Sequence, residues 1–118
     1  LDPLSGSKAD ASPGGNTTIG VVATNADLTP ADARRIAIMA QDGLARAIRP
    51  VHAPVDGDTI FVLATGACPL GKEARHVALS ALGALAADCV ARAVARGVYE
   101  ARSLGTAVSF RDRHRHRI

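Results

Sequence analysis

The 118-residue sequence has few aromatic residues: it contains no tryptophan, one tyrosine and two phenylalanines. Proteins that bind single-stranded nucleic acid stack the bases on aromatic side chains, and this sequence offers no such platform. It also lacks a run of about 18 uncharged apolar residues, which a membrane-spanning helix needs. We therefore expect a globular protein without a membrane segment and without a nucleic-acid partner.

Cysteine is also scarce, since Cys68 and Cys89 stand alone without a CxxC motif or a Cys/His cluster. His114 and His116 alternate with arginines, whose positive charge opposes the binding of a divalent metal. We expect no metal and no cofactor, and two reduced, packed thiols in a reducing compartment. The first residues do not have the pattern of a secretory signal, so the expected location is cytoplasmic.

The sequence has the length of one domain and is 47% apolar, enough for a real hydrophobic core. Its net charge of +3 comes from residues 111–117, which contain four arginines and one aspartate. We expect residues 105–118 to form a solvated basic tail, with nucleic-acid binding as its less favoured alternative. Residues 1–16 are rich in proline, glycine and serine, which is typical of a linker. The folded part is therefore expected over residues 17–104.

The first half of this part predicts a strand followed by a helix. Thr17 to Ala26 is rich in β-branched residues and apolar on both alternating faces, which favours a strand covered on both sides. Thr29 and Pro30 form a helix start, and Pro50 limits the helix to about residues 30–48. Asp42 and Arg46 are four residues apart and are expected to pair. The predicted core stripe of this helix contains Ile36, Met39, Ala40, Gly43, Leu44, Ala47 and Ile48.

The second half repeats the order. Thr59 to Thr65 predicts a central strand, and Gly66 to Gly71 a turn. A helix is expected from about Lys72 to Arg96, with Gly97 just beyond its end. Its stretch from Val77 to Ala87 is small or apolar on nearly every side, so we expect burial from several directions and close packing at Gly83.

Strand, helix, strand and helix in this order indicate an α/β fold, but two strands make an incomplete sheet. Either the chain oligomerises through its sheet edges, or it is part of a larger α/β domain. The linker-like composition of residues 1–16 favours the second possibility.

The chemistry is expected at Thr17, which follows Gly14-Gly15-Asn16 and begins the first strand. Its hydroxyl can attack the carbonyl carbon of Asn16 and break the bond between them. The freed α-amino group has a reference pKa of about 7.7–8.0, so it can act as the base for its own hydroxyl. Thr18 competes for this role, but a shift of one residue puts its side chain on the opposite strand face.

Asp56 and Asp58 flank Gly57 immediately before the second strand. If the two strands begin side by side, one of these carboxylates can reach Thr17 and orient its ammonium group. Taken alone, the Asp-Gly-Asp sequence more often only stabilises a turn. His52 is interpreted as a loop residue rather than a base, because the sequence identifies no acid partner for it.

Two segments carry a family resemblance: GNTTIGVVATNADLT from Gly15 to Thr29, and RPVHAPVDGDTIFVLATG from Arg49 to Gly66. Together they resemble the β-subunit portion of the L-aminopeptidase/D-esterase and nylon-oligomer-hydrolase family. The likeness covers about Gly15 to Leu104.

The resemblance implies a self-processing N-terminal-nucleophile hydrolase that acts on a peptide or small amide substrate. It implies cleavage between Asn16 and Thr17, Thr17 as nucleophile, and Asp56 and Asp58 as the assisting acidic pair. It also implies a fragment of a four-layer α/β/β/α sandwich, an upstream α-subunit-like segment and an oligomer. Two alternatives stay open: an acyltransferase of the ornithine-acetyltransferase type, and a non-catalytic assembly or binding module.

Overall fold

The computed structural model describes residues 17–72 and 74–115. The predicted linker, Asn16 of the predicted cleavage bond and the last three residues of the predicted tail lie outside the described residues. The strand and helix order confirms the predicted α/β class. The elements are β1 (Ile19–Ala26), α1 (Pro30–Ala47), β2 (Thr59–Cys68), α2 (Arg75–Glu100) and α3 (Phe110–Arg113).

β1 and β2 form a parallel two-stranded sheet, and α1 is the crossover between them. The register pairs Ile19 with Thr59 and continues to Thr24 and Ala64. Just before the ladder, the Thr59 backbone N–H donates to the Thr18 carbonyl at 2.9 Å. Because parallel strands run in the same direction, the amino ends of both strands lie at one edge of the sheet.

β2 is longer than the sequence predicted, and the prediction of a turn from Gly66 was wrong. The pairing shifts register after Thr24, so that Ala26 pairs with Cys68. Gly66 has a φ of 73°, a left-handed conformation that favours glycine. Gly66 lies at this register shift, and the strand continues beyond it in the manner of a β-bulge.

α1 begins as predicted, at a reciprocal cap between Thr29 and Asp32. The Asp32 backbone N–H donates to Thr29 Oγ1 at 3.2 Å, and the Thr29 backbone N–H donates to Asp32 Oδ2 at 3.0 Å. Arg75 of α2 donates to the same carboxylate oxygen at 2.5 Å. The cap of one helix therefore also joins the start of the other.

The core lies between the two long helices and one face of the sheet. Four residues of the predicted α1 stripe are buried, whereas Ala47 is exposed. The core cluster consists of Ile36, Ala40, Leu44, Ile60, Ala86 and Val90. A side chain at Gly83 would collide with Met39, which confirms the close approach predicted there. Arg46 pairs with Asp88 of α2 rather than with Asp42.

The predicted boundaries and burial of α2 need correction. The helix runs on to Glu100, and Gly97 lies inside it, where its carbonyl accepts from the Ala101 backbone N–H at 3.2 Å. Val77 and Leu85 are 58% and 63% exposed, because one side of α2 packs on α1 and β1 while its other side faces outward. Cys68 and Cys89 are exposed as well, so the prediction of packed thiols was wrong.

By length and composition α2 could also cross a membrane. Core helices of globular proteins pass the same test, so one such helix is weak evidence. α2 contributes Ala86 and Val90 to the core cluster, while its other side faces outward.

The outer face of the sheet is apolar and uncovered within the described residues. The prediction that the first strand is covered on both sides was therefore wrong for this part of the chain. Four large side chains on this face are 57–68% exposed: Ile19, Val21, Phe61 and Leu63. Parallel sheets are normally covered on both faces, so this one is half covered.

α3 lies within the segment predicted as a tail and was not predicted. Ser109 caps it by accepting from the Asp112 backbone N–H at 3.2 Å. The Ser103 hydroxyl donates to the Asp112 carboxylate at 2.5 Å, which ties α3 to the chain that follows α2.

Two helical glycines give a matched stability test. A Cβ at Gly43 would collide with the Ala87 carbonyl and stand 2.8 Å from Val90 Cβ, whereas a Cβ at Gly97 would meet nothing within 4 Å. We expect Gly43→Ala to lower the free energy of unfolding by about 1–3 kcal/mol through overpacking. Gly97→Ala should raise it by about 0.5–1 kcal/mol. Urea unfolding of the complete gene product measures both, and equal effects would contradict this packing.

The cap at Asp32 predicts a pH dependence of stability. The hydrogen bond from Arg75, followed by those from Thr29, lowers the pKa of Asp32 from 3.8 to about 2. A depressed folded-state pKa gives stability that is present above about pH 4 and is lost as the pH falls towards 2. Thermal unfolding from pH 5 to pH 2 should show this loss in the wild type and less of it in Asp32→Asn and Arg75→Gln. A wild-type slope in both variants would contradict it.

Candidate active site

A cleft of about 300 Å³ lies at the edge of the sheet where both strands begin. It is lined by Thr17, Thr18, Ile48, Pro50, Val51, Asp56 and Asp58. The structure thus brings the three predicted site residues Thr17, Asp56 and Asp58 to one cleft. Parallel pairing is the reason, because it places the residues before β1 beside the residues before β2.

Thr17 is exposed at the start of β1, and the loop before β2 passes very close to its hydroxyl. A Cβ built at Gly57 would stand 2.6 Å from Thr17 Oγ1, too close for two unbonded atoms. Glycine at this position therefore lets the loop approach the hydroxyl. The sequence alone indicates only a turn at Gly57, whereas the strand pairing reveals this second reason for a glycine there.

Asp58 is the best-anchored carboxylate of the site, with its side chain only 6% exposed. Its Oδ1 accepts from the Thr18 backbone N–H at 3.0 Å. Its Oδ2 accepts from the His52 backbone N–H at 3.3 Å and lies 2.8 Å from His52 Nδ1. Burial raises the pKa of Asp58, but the hydrogen bonds from Thr18 and then His52 outweigh it and leave the pKa below its usual value. The group is therefore a carboxylate at neutral pH.

Asp56 makes the contacts of a turn residue. Its Oδ2 accepts from the Ala53 backbone N–H at 2.8 Å, and its own backbone N–H donates to the Ala53 carbonyl at 2.8 Å. These contacts match the turn-stabilising interpretation of the Asp-Gly-Asp sequence. They hold the loop in the shape that places Asp56 at the cleft.

His52 has an acid partner that the sequence analysis did not identify. Because the carboxylate of Asp58 can only accept, His52 Nδ1 carries the proton of the 2.8 Å contact. His52 has a φ of 56°, a left-handed conformation in which histidine is among the more frequent residues after glycine. The available signal was a histidine six residues before an aspartate in a loop with two prolines, but only the folded loop shows that the two side chains meet.

The cleft presents the hydroxyl groups of Thr17 and Thr18 and the carboxyl groups of Asp56 and Asp58. Among the residues that the structure describes, no group of three or more histidine, cysteine, aspartate or glutamate side chains is arranged to hold a metal ion. His114 does not line the cleft; it follows the end of α3, where its ring packs on Phe110 with the centroids 4.7 Å apart.

Comparison with known proteins defines the class. The family model of peptidase family S58 matches residues 3–110. The chain therefore belongs to peptidase family S58, the family that its sequence resembles, and this confirms the predicted resemblance.

Individual relatives agree with this assignment. The chain is 53% identical to an uncharacterized aminopeptidase of Mycobacterium bovis over 105 residues, which cover 82% of this chain and 30% of the relative. A Mycobacterium leprae protein, also named an uncharacterized aminopeptidase, is 50% identical over 97 residues, with coverage of 75% and 27%. A 6-aminohexanoate-oligomer endohydrolase of Kocuria is 33% identical over 86 residues, with coverage of 68% and 24%. The chain thus spans less than a third of the curated relatives that it matches.

The contact between Asp58 and Thr18 predicts slow exchange of one backbone amide. Removing the carboxylate in Asp58→Ala leaves the Thr18 N–H without its acceptor, and a hydrogen bond to a charged group contributes about 1.5–3 kcal/mol. We expect the Thr18 amide proton to exchange about ten- to a hundredfold faster. Hydrogen exchange followed by NMR or by mass spectrometry of short peptides measures it.

Asp56→Ala is the matched control, because it removes the neighbouring carboxylate without touching this bond. Thr18 exchange should then stay within a few-fold of the wild type. Equal acceleration in both variants would mean that the loop as a whole, rather than Asp58, protects the amide.

Proposed function

We propose that this chain is the nucleophile-bearing part of a self-processing N-terminal-nucleophile hydrolase that acts on amide or peptide bonds. The observation that carries the proposal is the placement of the Thr17 hydroxyl next to Gly57, in a cleft that Asp56 and Asp58 also line, in a member of peptidase family S58. Thr17 is the proposed nucleophile, and Asp56 and Asp58 are the proposed assisting pair.

Maturation begins with attack of Thr17 Oγ1 on the carbonyl carbon of Asn16. The C–N bond between the two residues breaks, and the nitrogen of Thr17 takes the proton that the hydroxyl loses. The product is an ester between the acyl group of Asn16 and Thr17 Oγ1. Water then hydrolyses this ester, leaving the carboxylate of Asn16 and a free α-amino group on Thr17.

Turnover uses the same oxygen. The α-amino group of Thr17 accepts the hydroxyl proton while Oγ1 attacks the substrate amide carbonyl, and the leaving amine takes up that proton. Water then releases the acyl group and restores the hydroxyl. Asp58 supports both stages, because its negative charge attracts the ammonium form of the amino group and its Oδ1 anchors the amide that follows Thr17.

The proposed substrates are linear amides. Two relatives are named aminopeptidases and one is named a 6-aminohexanoate-oligomer endohydrolase, so amide-bond cleavage is what these names share. The cleft of about 300 Å³ lies at the small end of the range for small-molecule sites. We propose that the rest of the binding site is supplied by an upstream segment of the protein.

The exposed sheet face also supports the proposal that an upstream segment of the protein packs against this chain. Ile19, Val21, Phe61 and Leu63 form an apolar surface that a globular protein normally covers. We propose that a second sheet from the upstream segment packs on it, which gives the four-layer α/β/β/α sandwich. The large uncovered length of the relatives is long enough to contain such a layer. We also propose that the assembled protein is an oligomer.

Substitution of Thr17 tests the nucleophile. In the complete gene product, Thr17→Ala should abolish both cleavage before residue 17 and amidase activity, because no hydroxyl remains to attack. Thr17→Ser keeps a hydroxyl and should retain both. Mass spectrometry of the purified protein should show a fragment that begins at Thr17 in the wild type, and hydrolysis of an aminoacyl p-nitroanilide reports turnover.

Thr106→Ala is the control for loss of a threonine, since Thr106 lies in an exposed turn between Leu104 and Ala107. It should be processed and active like the wild type. An intact Thr17→Ala chain with undiminished amidase activity would overturn the proposed function. A fragment beginning at Thr18 would move the nucleophile by one residue.

A further inference from the structure

We propose that His52 is a positioning residue for the active site: it holds the Asp58 carboxylate against the backbone N–H of Thr18. The proposal rests on the proposed role of Thr17 as nucleophile. Among the described residues His52 is not part of the cleft lining, and its contact with the site is made through Asp58.

The contacts fix the carboxylate from two sides. One residue supplies two donors to Oδ2, the His52 backbone N–H at 3.3 Å and the ring Nδ1–H at 2.8 Å. The other oxygen, Oδ1, accepts from Thr18 at 3.0 Å. With both oxygens engaged on different segments, rotation of the carboxyl group breaks at least one bond. Asp58 therefore has one preferred orientation.

A φ of 56° is most easily adopted by glycine, and histidine, asparagine and aspartate adopt it more often than other residues with a side chain. The backbone of His52 therefore does not by itself select histidine over these residues. The imidazole ring gives histidine a further role at this position, since it brings a second donor to Asp58 Oδ2. Asp58 is 6% exposed and His52 39% exposed, so the ring shields the carboxylate while its own outer edge reaches solvent.

The amide that Asp58 anchors belongs to the peptide bond between Thr17 and Thr18. Fixing this bond fixes the Cα atom of Thr17 and therefore the place from which its hydroxyl attacks. Misplacement of a reacting atom by about 1 Å can cost about a hundredfold in rate. Loss of the ring should thus slow the chemistry and leave substrate binding largely intact.

Two substitutions separate the ring donor from the backbone conformation. His52→Gly keeps the left-handed conformation without strain and removes only the ring. His52→Asn also tolerates that conformation, and its side-chain NH₂ group lies where Nδ1–H lies in histidine. His76→Asn is the matched control, because His76 is an exposed histidine on α2.

The variants are measured in the complete gene product with three readouts: the rate of cleavage before Thr17, kcat and KM for an aminoacyl p-nitroanilide, and the pH titration of the Asp58 carboxyl carbon by NMR. We expect His52→Gly to lower the cleavage rate and kcat about ten- to a hundredfold with KM within about twofold of the wild type. Its Asp58 titration should move to higher pH. His52→Asn should restore all three readouts to within a few-fold, and His76→Asn should not change them.

Wild-type rates in His52→Gly, or equal impairment in His52→Asn and His52→Gly, would overturn the inference. The Asp58 titration tests the role of His52 independently of the proposed function. If Thr17→Ala is still processed and active, Thr17 is not the nucleophile. An Asp58 titration that is then unchanged in His52→Gly also overturns the role of His52, and one that moves to higher pH supports it.

Discussion

The parallel pairing of β1 and β2 is the constraint on which the site depends. Residues 17–18 and 56–58 are about 40 positions apart in the chain, and they meet only because Ile19 pairs with Thr59. In an antiparallel pair, the amino end of one strand would lie beside the carboxyl end of the other. A slip of one residue would turn the alternate side chains to the other sheet face. The register therefore decides both that the cleft exists and which threonine borders Gly57.

Helix packing holds that register in place. α1 connects the two strands, and its buried stripe presses on Ile60, so the crossover and the sheet share one core. Two glycines let α2 approach α1 closely. Gly43 lies against the Ala87 carbonyl, and Gly83 lies against Met39. At the start of both helices, Asp32 links the α1 cap to Arg75. The two long helices thus support the sheet, and with it the cleft, from one face.

Patterns local in sequence predicted most of this framework. The apolar runs gave both strands, and the Thr29-Pro30 cap with the three-and-four spacing gave α1 to within a residue. The errors arose where tertiary contacts override local signals. Gly97 was expected to end a helix, yet the helix passes through it without needing a left-handed residue. Gly66 was expected in a turn, yet it supplies the left-handed residue of a bulge in β2.

The candidate site was also predictable only in part, because local signals are visible in the sequence and contacts between loops are not. Thr17 could be selected from its residue type and its position before a strand, and Asp56 and Asp58 from their position before the second strand together with the family resemblance. The partnership of His52 with Asp58 could not, since it depends on a left-handed backbone at His52 and on a loop that folds back on itself. Hydrogen bonds across loops leave no periodic trace in a sequence, whereas strands and helices do.

The uncovered sheet face and the cleft lie next to each other at the start of β1. Ile19 lies two residues after Thr17 and points to the exposed apolar face, so whatever covers that face also comes close to Thr17. Covering the face removes apolar surface from water, at about 25 cal/mol per Å², and excludes water from one side of the cleft. In a site with less water, the charge of Asp58 interacts more strongly with an ammonium group at Thr17. Under the proposed function, completion of the fold and activation of the site are therefore coupled through the first residues of β1, because the layer proposed to cover Ile19 also excludes water beside Thr17.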